Sequence, residues 1–143
     1  MRVLLTSKVM TTQLLVRDVM TAAPHTIGIG LSLADAAKTM KKFKIRHLPV
    51  LDAGALVGIL SDRDVQLISS VSQLDASCIL VEDAMTQAPW TVSAKTPVAE
   101  VAQAMAEKKL GSAVVLDANG RVIGVFTTTD GMRVLAEQLK KKQ

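Results

Sequence analysis

Two short segments of the chain place a hydroxyl side chain and a carboxylate at the same spacing. Residues 58–64 read Gly-Ile-Leu-Ser-Asp-Arg-Asp, and residues 124–130 read Gly-Val-Phe-Thr-Thr-Thr-Asp. The apolar pair is typical of the end of a buried strand, and Ser61 or Thr127 then stands where the chain turns into a helix. A hydroxyl and the free N–H groups of a first helical turn can hold a phosphate. The aspartate one turn later can accept two hydrogen bonds from the vicinal hydroxyls of a ribose.

The same residue types also have a purely structural use. Ser, Thr and Asp cap helices, so one such segment alone favours a capping role over ligand binding. Two segments with identical spacing strengthen the binding interpretation, although common ancestry of the segments would preserve the spacing as well. Both interpretations stay open on the residues alone.

The two segments belong to an internal repeat. Residues 16–21 (Val-Arg-Asp-Val-Met-Thr) match residues 81–86 (Val-Glu-Asp-Ala-Met-Thr) at an offset of 65, which becomes 66 after a one-residue insertion in a turn. Each copy is too small to bury a good core alone, so we expect the two copies to fold as one unit. The predicted organisation is an N-terminal segment (1–15), a first copy (16–68), a connector (69–80), a second copy (81–139) and a basic tail (140–143).

Each copy shows the pattern of a β-α-β-β-α unit, so the predicted fold class is α+β. A helix N-cap is predicted at Ser32, where Asp35 completes a capping box, and at Thr96, with Pro97 in the first helical position. Hairpin turns are predicted at 52–54 and at Asn119-Gly120. The second helices are predicted at about 62–69 and about 128–141, short extended segments at Thr26-Ile27 and Thr91-Val92, and a loop at the serine-rich start of the connector.

Composition excludes several classes of protein. The 143 residues are 49% hydrophobic but only 2% aromatic, which predicts an aliphatic core and disfavours a base-stacking nucleic-acid surface. Three of the positive charges behind the net charge of +4 are the lysines at 140–142, so nucleic-acid binding through this tail is a third, weaker interpretation. No apolar run is long enough to span a membrane. We therefore expect a cytoplasmic protein with no membrane or nucleic-acid partner.

The sequence also argues against catalysis and against a metal site. One cysteine, Cys78, and two histidines, His25 and His47, cannot form a disulfide or a Cys/His zinc site within one chain. Neither histidine stands in a recognisable nucleophile–base arrangement, and no Gly-x-x-x-x-Gly-Lys-Ser/Thr string occurs. We expect no catalytic residue and no metal. His47 is interpreted as a packing or solvent-edge residue, with a phosphate contact as the alternative. Trp90 is interpreted as the cover of an apolar edge or an interface, with stacking on adenine as the alternative.

Taken together, the repeated Val-x-Asp-x-Met-Thr segments, His47-Leu-Pro-Val and the two Gly-to-Asp segments resemble a pair of cystathionine-β-synthase-type (CBS) domains. The resemblance covers about 16–68 and 81–139. It implies two β-α-β-β-α repeats packed through their sheets about a pseudo-two-fold axis. It further implies two clefts, each able to hold AMP, ADP, ATP or S-adenosylmethionine, and dimerisation of the pair.

The resemblance also assigns residues to the parts of such a ligand. Ribose would be held by the aspartates, phosphate would be approached by the hydroxyls, and adenine would be bordered by the short extended segments. The residues are Asp64 and Asp130 for ribose, Ser61 and Thr127 for phosphate, and Thr26, Ile27, Thr91 and Val92 for adenine. Arg63 stands beside the first segment where Thr129 stands beside the second, so the first cleft is expected to favour phosphorylated ligands.

The sequence therefore predicts a stand-alone regulatory module without catalysis. It would require no cofactor, bind an adenosine nucleotide or S-adenosylmethionine, and transmit the ligand state to a homodimer or to a regulated partner that the sequence does not identify. The alternative, from another class, is a dimerisation or adaptor scaffold whose pockets are degenerate.

Overall fold

The computed structural model describes residues 13–142, so the predicted N-terminal segment up to residue 12 and the last residue of the predicted tail lie outside it. The helices are α1 (Val16–Val19), α2 (Leu33–Phe43), α3 (Asp62–Val71), α4 (Val81–Ala84), α5 (Val98–Lys108) and α6 (Thr128–Lys141). The strands are β1 (Thr21–Ala22), β2 (Ile27–Gly28), β3 (His47–Asp52), β4 (Ala55–Ser61), β5 (Thr86–Gln87), β6 (Thr91–Ser93), β7 (Ser112–Leu116) and β8 (Val122–Thr127). Among the described residues, no helix combines the length and apolarity that crossing a membrane requires.

The predicted α+β fold of two β-α-β-β-α repeats is confirmed. β2, α2, β3, β4 and α3 form the first unit, and β6, α5, β7, β8 and α6 form the second. In each unit the first strand runs parallel to the second, and the second and third strands form the antiparallel hairpin. Asn119-Gly120 lies in the hairpin turn as predicted, with Gly120 at φ 80°.

Two local predictions are corrected. Helix α3 continues through Val71, so Ser69 and Ser70 are helical and do not begin a loop. Ser70 Oγ donates to the Leu67 carbonyl of the preceding turn at 2.8 Å, so its hydroxyl is satisfied within the helix. Helix α5 begins at Val98 with Pro97 as its N-cap, whereas Thr96 was the predicted cap. The Thr96 hydroxyl lies 3.2 Å from Ser93 Oγ instead.

The short strands β1 and β5 are exchanged between the two copies. β1, which follows α1 in the first copy, pairs with β8 of the second, and β5 of the second copy pairs with β4 of the first. The two sheets therefore have the strand orders β1-β8-β7-β6 and β2-β3-β4-β5. The preceding helices cross over too: the Val16 amide donates to Thr96 O, and the Val81 amide donates to Leu31 O, both at 2.8 Å. Each sheet is thus completed by the other copy.

The two hydrophobic cores follow the same exchange. Val81 is fully buried in the core around Leu33, Leu48 and Leu60 of the first copy. Val16 is fully buried in the core around Val101 and Phe126 of the second. Phe126 is the sole aromatic among the buried core residues of the described chain, in agreement with the predicted aliphatic core. Neither copy has a complete core of its own.

The exchange also explains why Gly and Met recur at matched positions of the repeat. A β-carbon at Gly124 would overlap the sulfur of Met20, which arrives from the first copy. A β-carbon at Gly58 would overlap the sulfur of Met85 and would lie 2.9 Å from the carbonyl oxygen of Thr86. Glycine is therefore required where the exchanged segment packs on the hairpin, because any side chain would push the segment away.

The Gly58→Ala variant is expected to lose about 1–3 kcal/mol of unfolding free energy, because the added methyl group overpacks against a side chain and against backbone. Urea unfolding followed by circular dichroism measures the loss. Gly28→Ala is the matched control, since a β-carbon there meets nothing within 4 Å. Equal stability of the two variants would contradict the close approach of the exchanged segment.

Candidate functional site

Two clefts lie between the copies, and each is built from both of them. The first cleft has a volume of about 1040 Å³ and is lined by residues 61–64 at the start of α3, by 88–91 before and into β6, and by 108–112 between α5 and β7. The second cleft, of about 660 Å³, is lined by the matching segments: 127–130, 21–25 and 43–47. The exchange of β1 and β5 brings these segments together, because each cleft joins a helix start of one copy to two turns of the other.

In the first cleft, Ser61 and Asp64 form a capping box. The Ser61 amide donates to Asp64 Oδ2 at 2.9 Å, and the Asp64 amide donates to Ser61 Oγ at 3.0 Å. The Asp62 amide donates to the Arg46 carbonyl at 2.8 Å. Within the described residues, the Arg63 amide and Asp64 Oδ1 have no hydrogen-bond partner. The capping role is therefore real, and it leaves one N–H donor and one carboxylate oxygen available to a ligand.

In the second cleft, Asp130 is more fully occupied. Oδ2 accepts from the Thr127 amide at 2.9 Å and from Thr127 Oγ1 at 3.3 Å. Oδ1 accepts from Thr21 Oγ1 at 3.3 Å and from Arg133 Nη1 at 3.2 Å. Asp130 is also 4% exposed, the one buried charged residue of the described chain. A ligand at this carboxylate would have to displace a protein donor.

The structure brings six of the nine predicted site residues to the clefts. Ser61, Arg63, Asp64 and Thr91 line the first cleft, and Thr127 and Asp130 line the second. Thr26, Ile27 and Val92 line neither. Strand alternation turns Ile27 into the first core and Val92 against the second, and Thr26 is exposed outside the second cleft. The residues that line each cleft precede the predicted extended segments by one or two positions. They are Pro89 and Trp90 in the first cleft and Pro24 and His25 in the second.

Four lining residues adopt a left-handed backbone that side chains normally avoid. Ala23 and Ala88 have φ of 47° and 50°, and Lys44 and Lys109 have φ of 55° and 56°. They account for four of the five non-glycine residues with positive φ in the described chain. Such conformations are disfavoured and cluster at functional sites. No residue-type signal marks an alanine or lysine for this conformation, so sequence reasoning missed these turns.

His47 and Arg46 line both clefts. Burial lowers the pKa of His47 below its ordinary value of 6.5; nearby Asp64 opposes this shift, Arg46 adds to it, and Asp130 and Asp62 oppose it more weakly. Because the two ribose-candidate carboxylates both act on this imidazole, His47 lies between the two sites. The sequence favours a packing or solvent-edge role for His47, and the structure adds that this residue lines both cavities.

The first cleft has an excess of basic side chains. Arg46, Arg63, Lys108 and Lys109 line it, against the two carboxylates of Asp62 and Asp64. Trp90 packs against the second core and also lines this cleft, with Lys108 Nζ 5.2 Å from its ring centroid. The cleft therefore combines a flat apolar surface, a free carboxylate oxygen and several cations. No cluster of metal-ligating side chains occurs in the part of the chain that the structure describes.

A family model for the CBS domain matches residues 16–68 and 81–137. A CBS domain-containing protein of Dictyostelium discoideum is 32% identical over 138 residues, which cover 90% of this chain and 95% of that protein. The solved structure of the CBS domain pair of protein MJ0100, in complex with 5'-methylthioadenosine and S-adenosyl-L-methionine, has a TM-score of 0.81 and 30% identity, covering 89% of this chain and 99% of that one. CBSX2 of Arabidopsis thaliana in complex with AMP has a TM-score of 0.72 and 31% identity, covering 89% and 98%.

Several other relatives are longer proteins whose names are those of enzymes. The chain spans 22–24% of the length of four of these. The similarity therefore concerns one part of each enzyme, and it does not extend the enzymes' activities to this chain.

Proposed function

The chain belongs to the CBS domain family as a pair of CBS domains, and on this premise we propose that it is a regulatory module that binds an adenosine nucleotide in the first cleft. Solved structures of similar CBS pairs hold AMP or S-adenosyl-L-methionine, which supports an adenosine ligand in general. The observation that carries the proposal is the free Oδ1 of Asp64 at a helix start that faces a cavity of about 1040 Å³.

Each part of a nucleotide meets a suitable group in this cleft. The ribose hydroxyls would donate to Asp64 Oδ1, which is half-buried and has no protein donor among the described residues. The phosphate would accept from the Arg63 amide and would be attracted by the guanidinium groups of Arg63 and Arg46. The adenine would lie along the turn that contains Trp90 and Thr91. Ser61 supports the arrangement by fixing Asp64, since its hydroxyl accepts from the Asp64 amide.

The charge of the cleft favours a phosphorylated ligand. The basic side chains exceed the acidic ones, so a phosphate is attracted, whereas S-adenosylmethionine carries a sulfonium and an ammonium against one carboxylate and is a net cation. We therefore infer that AMP, ADP or ATP binds more tightly than S-adenosylmethionine. Ser61 and His47 both line the cavity, but within the part of the chain that the structure describes no hydrogen bond joins a lining hydroxyl to the imidazole, and we propose binding without turnover.

We further propose that the ligand state is transmitted through a homodimer. Large apolar side chains stay exposed on α3 and α6, the two helices that begin at the clefts: Leu67, Val71, Met132, Leu135 and Leu139. On α6 the spacing of three and four residues puts them on one face. A second copy would cover these faces. Because both helices begin at the clefts, a ligand that shifts a helix start would also shift the contact with the second copy. Analytical ultracentrifugation with and without AMP tests this, and a monomer at all concentrations would contradict it.

A cytoplasmic location and a regulated partner protein stay predictions from the sequence.

A thermal-shift series tests the proposed function. Melting is measured with AMP, ADP, ATP and S-adenosylmethionine, with the matching guanosine nucleotides as controls. A ligand that binds only the folded chain raises the midpoint as its concentration passes its dissociation constant. We expect the midpoint to rise with adenosine nucleotides, and we expect the nucleotide to be recovered unchanged after incubation. No shift with any adenosine compound would favour the alternative, an adaptor scaffold with degenerate pockets.

A further inference from the structure

The two clefts differ at positions that the repeat makes equivalent. On the second helices Arg133 stands where the first copy has Leu67, and the turns before them carry His25 where the other copy has Trp90. At the ends of α2 and α5 the corresponding residues are Phe43 and Lys108. Each of these differences lies at the second cleft, and each reduces the space or the free groups there.

Arg133 occupies the oxygen that is free in the first cleft. Its Nη1 lies 3.2 Å from Asp130 Oδ1, and its side chain is 63% exposed while Asp130 is 4% exposed. Thr21 Oγ1 reaches the same oxygen at 3.3 Å. The corresponding Oδ1 of Asp64 has no partner among the described residues: Leu67, at the position of Arg133, has no donor, and Thr86, at the position of Thr21, lines the cleft without a hydrogen bond to Asp64. The guanidinium therefore stands where a ribose hydroxyl would donate.

Two stacked rings also narrow the second cleft. The rings of His25 and Phe43 are stacked, with centroids 3.6 Å apart and planes at 17°. In the first cleft the matching pair is Trp90 and Lys108, in which a single flexible ammonium group covers the indole. The stacked rings leave less room, in line with the cavity volumes of about 660 and 1040 Å³.

Building on the proposed function, we propose that Arg133 blocks the second cleft by occupying Asp130, so that the two clefts fill in order, the Asp64 cleft first. A ligand in the second cleft must break the Arg133–Asp130 ion pair before its ribose can bind. The free energy needed to break this pair lowers the affinity of the second cleft for the ligand. The ion pair is at the surface on the arginine side, so the block is reversible at high ligand concentration.

The test is an NMR titration of the full chain with AMP, because each cleft has a reporter. The indole N–H of Trp90, the chain's one tryptophan, reports on the first cleft, and the amide of Gly131, next to Asp130, reports on the second. In the wild type the Trp90 signal is expected to saturate at a lower AMP concentration than the Gly131 signal. In Arg133→Leu, which installs the residue of the first copy, the Gly131 midpoint should fall by roughly threefold to tenfold, as expected for a partly exposed charge pair.

Lys140→Leu is the control, because it removes a positive charge from the same helix outside both clefts and should leave both midpoints unchanged. Equal midpoints in the wild type would overturn the inference. An unchanged Gly131 midpoint in Arg133→Leu would also overturn it, because Arg133 would then have no effect on binding. A higher midpoint would overturn it as well, because Arg133 would then contribute to ligand binding. If neither signal responds to AMP, the proposed function fails, and the order of filling fails with it.

Discussion

The Asp64→Ala variant is expected to bind AMP about 10–100-fold more weakly than the wild type, because a charge-assisted hydrogen bond contributes about 1.5–3 kcal/mol. Asp64 Oδ1 lines the first cleft without a hydrogen-bond partner among residues 13–142, and alanine offers the ribose no acceptor in its place. Isothermal titration calorimetry on the full chain measures the change. The corresponding Asp130→Ala change should affect total binding less, since that carboxylate is already paired with Arg133.

Asp35→Ala separates ligand binding from helix capping. Asp35 and Ser32 form the same capping box at the start of α2, with the Ser32 amide 3.2 Å from Asp35 Oδ2 and the Asp35 amide 3.1 Å from Ser32 Oγ. Asp35 lines neither cleft. Both variants should lose about 0.5–2 kcal/mol of stability from the lost cap, but only Asp64→Ala should lose affinity. Unchanged affinity in Asp64→Ala would remove the ribose assignment.

The Val16→Asp variant is expected to abolish cooperative folding of the whole chain. Val16 is fully buried in the second core, where a carboxylate would have no partner, and an unpaired buried charge costs several kcal/mol. That is comparable with the 5–15 kcal/mol that hold a typical domain together. Trp90 packs against the same core, so its fluorescence reports the damage although residue 16 lies in the other copy of the repeat.

Arg17→Asp is the neighbouring control. Arg17 is exposed on α1, and a carboxylate there stays in water, so Trp90 emission and the melting midpoint should stay close to those of the wild type. A Val16→Asp protein in which Trp90 keeps its native emission and melts cooperatively would show that the second unit folds without the first copy's N-terminal segment. The exchange of segments between the copies would then be wrong.

Much of the fold could be predicted because its signals are local. The helices α2 and α5 follow apolar residues at helical spacing, and the Asn119-Gly120 turn fixes a hairpin. The exchange of β1 and β5 could not be predicted, since two-residue strands show no periodicity and their partners lie about 30 to 100 residues away. The repeat contained the clue in Met20 and Met85 opposite Gly124 and Gly58, but only the structure shows that these residues meet.

The candidate site, too, could be predicted from the sequence only where its signals are local. The helix starts at Ser61 and Thr127 were predicted, because hydroxyl and carboxylate types at that spacing have few uses. The turns at Ala23 and Ala88 were missed, because their conformation is imposed by the fold and not by their residue type. The pairing of Asp130 with Arg133 had a readable signal in its i, i+3 spacing on a helix. Arg63 beside the first segment was among the predicted site residues, and Arg133 beside the second was not.

A crystal structure of the full chain grown with AMP tests the central claim most directly. We expect AMP in the first cleft, with the ribose hydroxyls within hydrogen-bond distance of the Asp64 carboxylate and the phosphate at the Arg63 amide. A structure at saturating AMP in which this cleft is empty, or in which AMP lies away from Asp64, would contradict it.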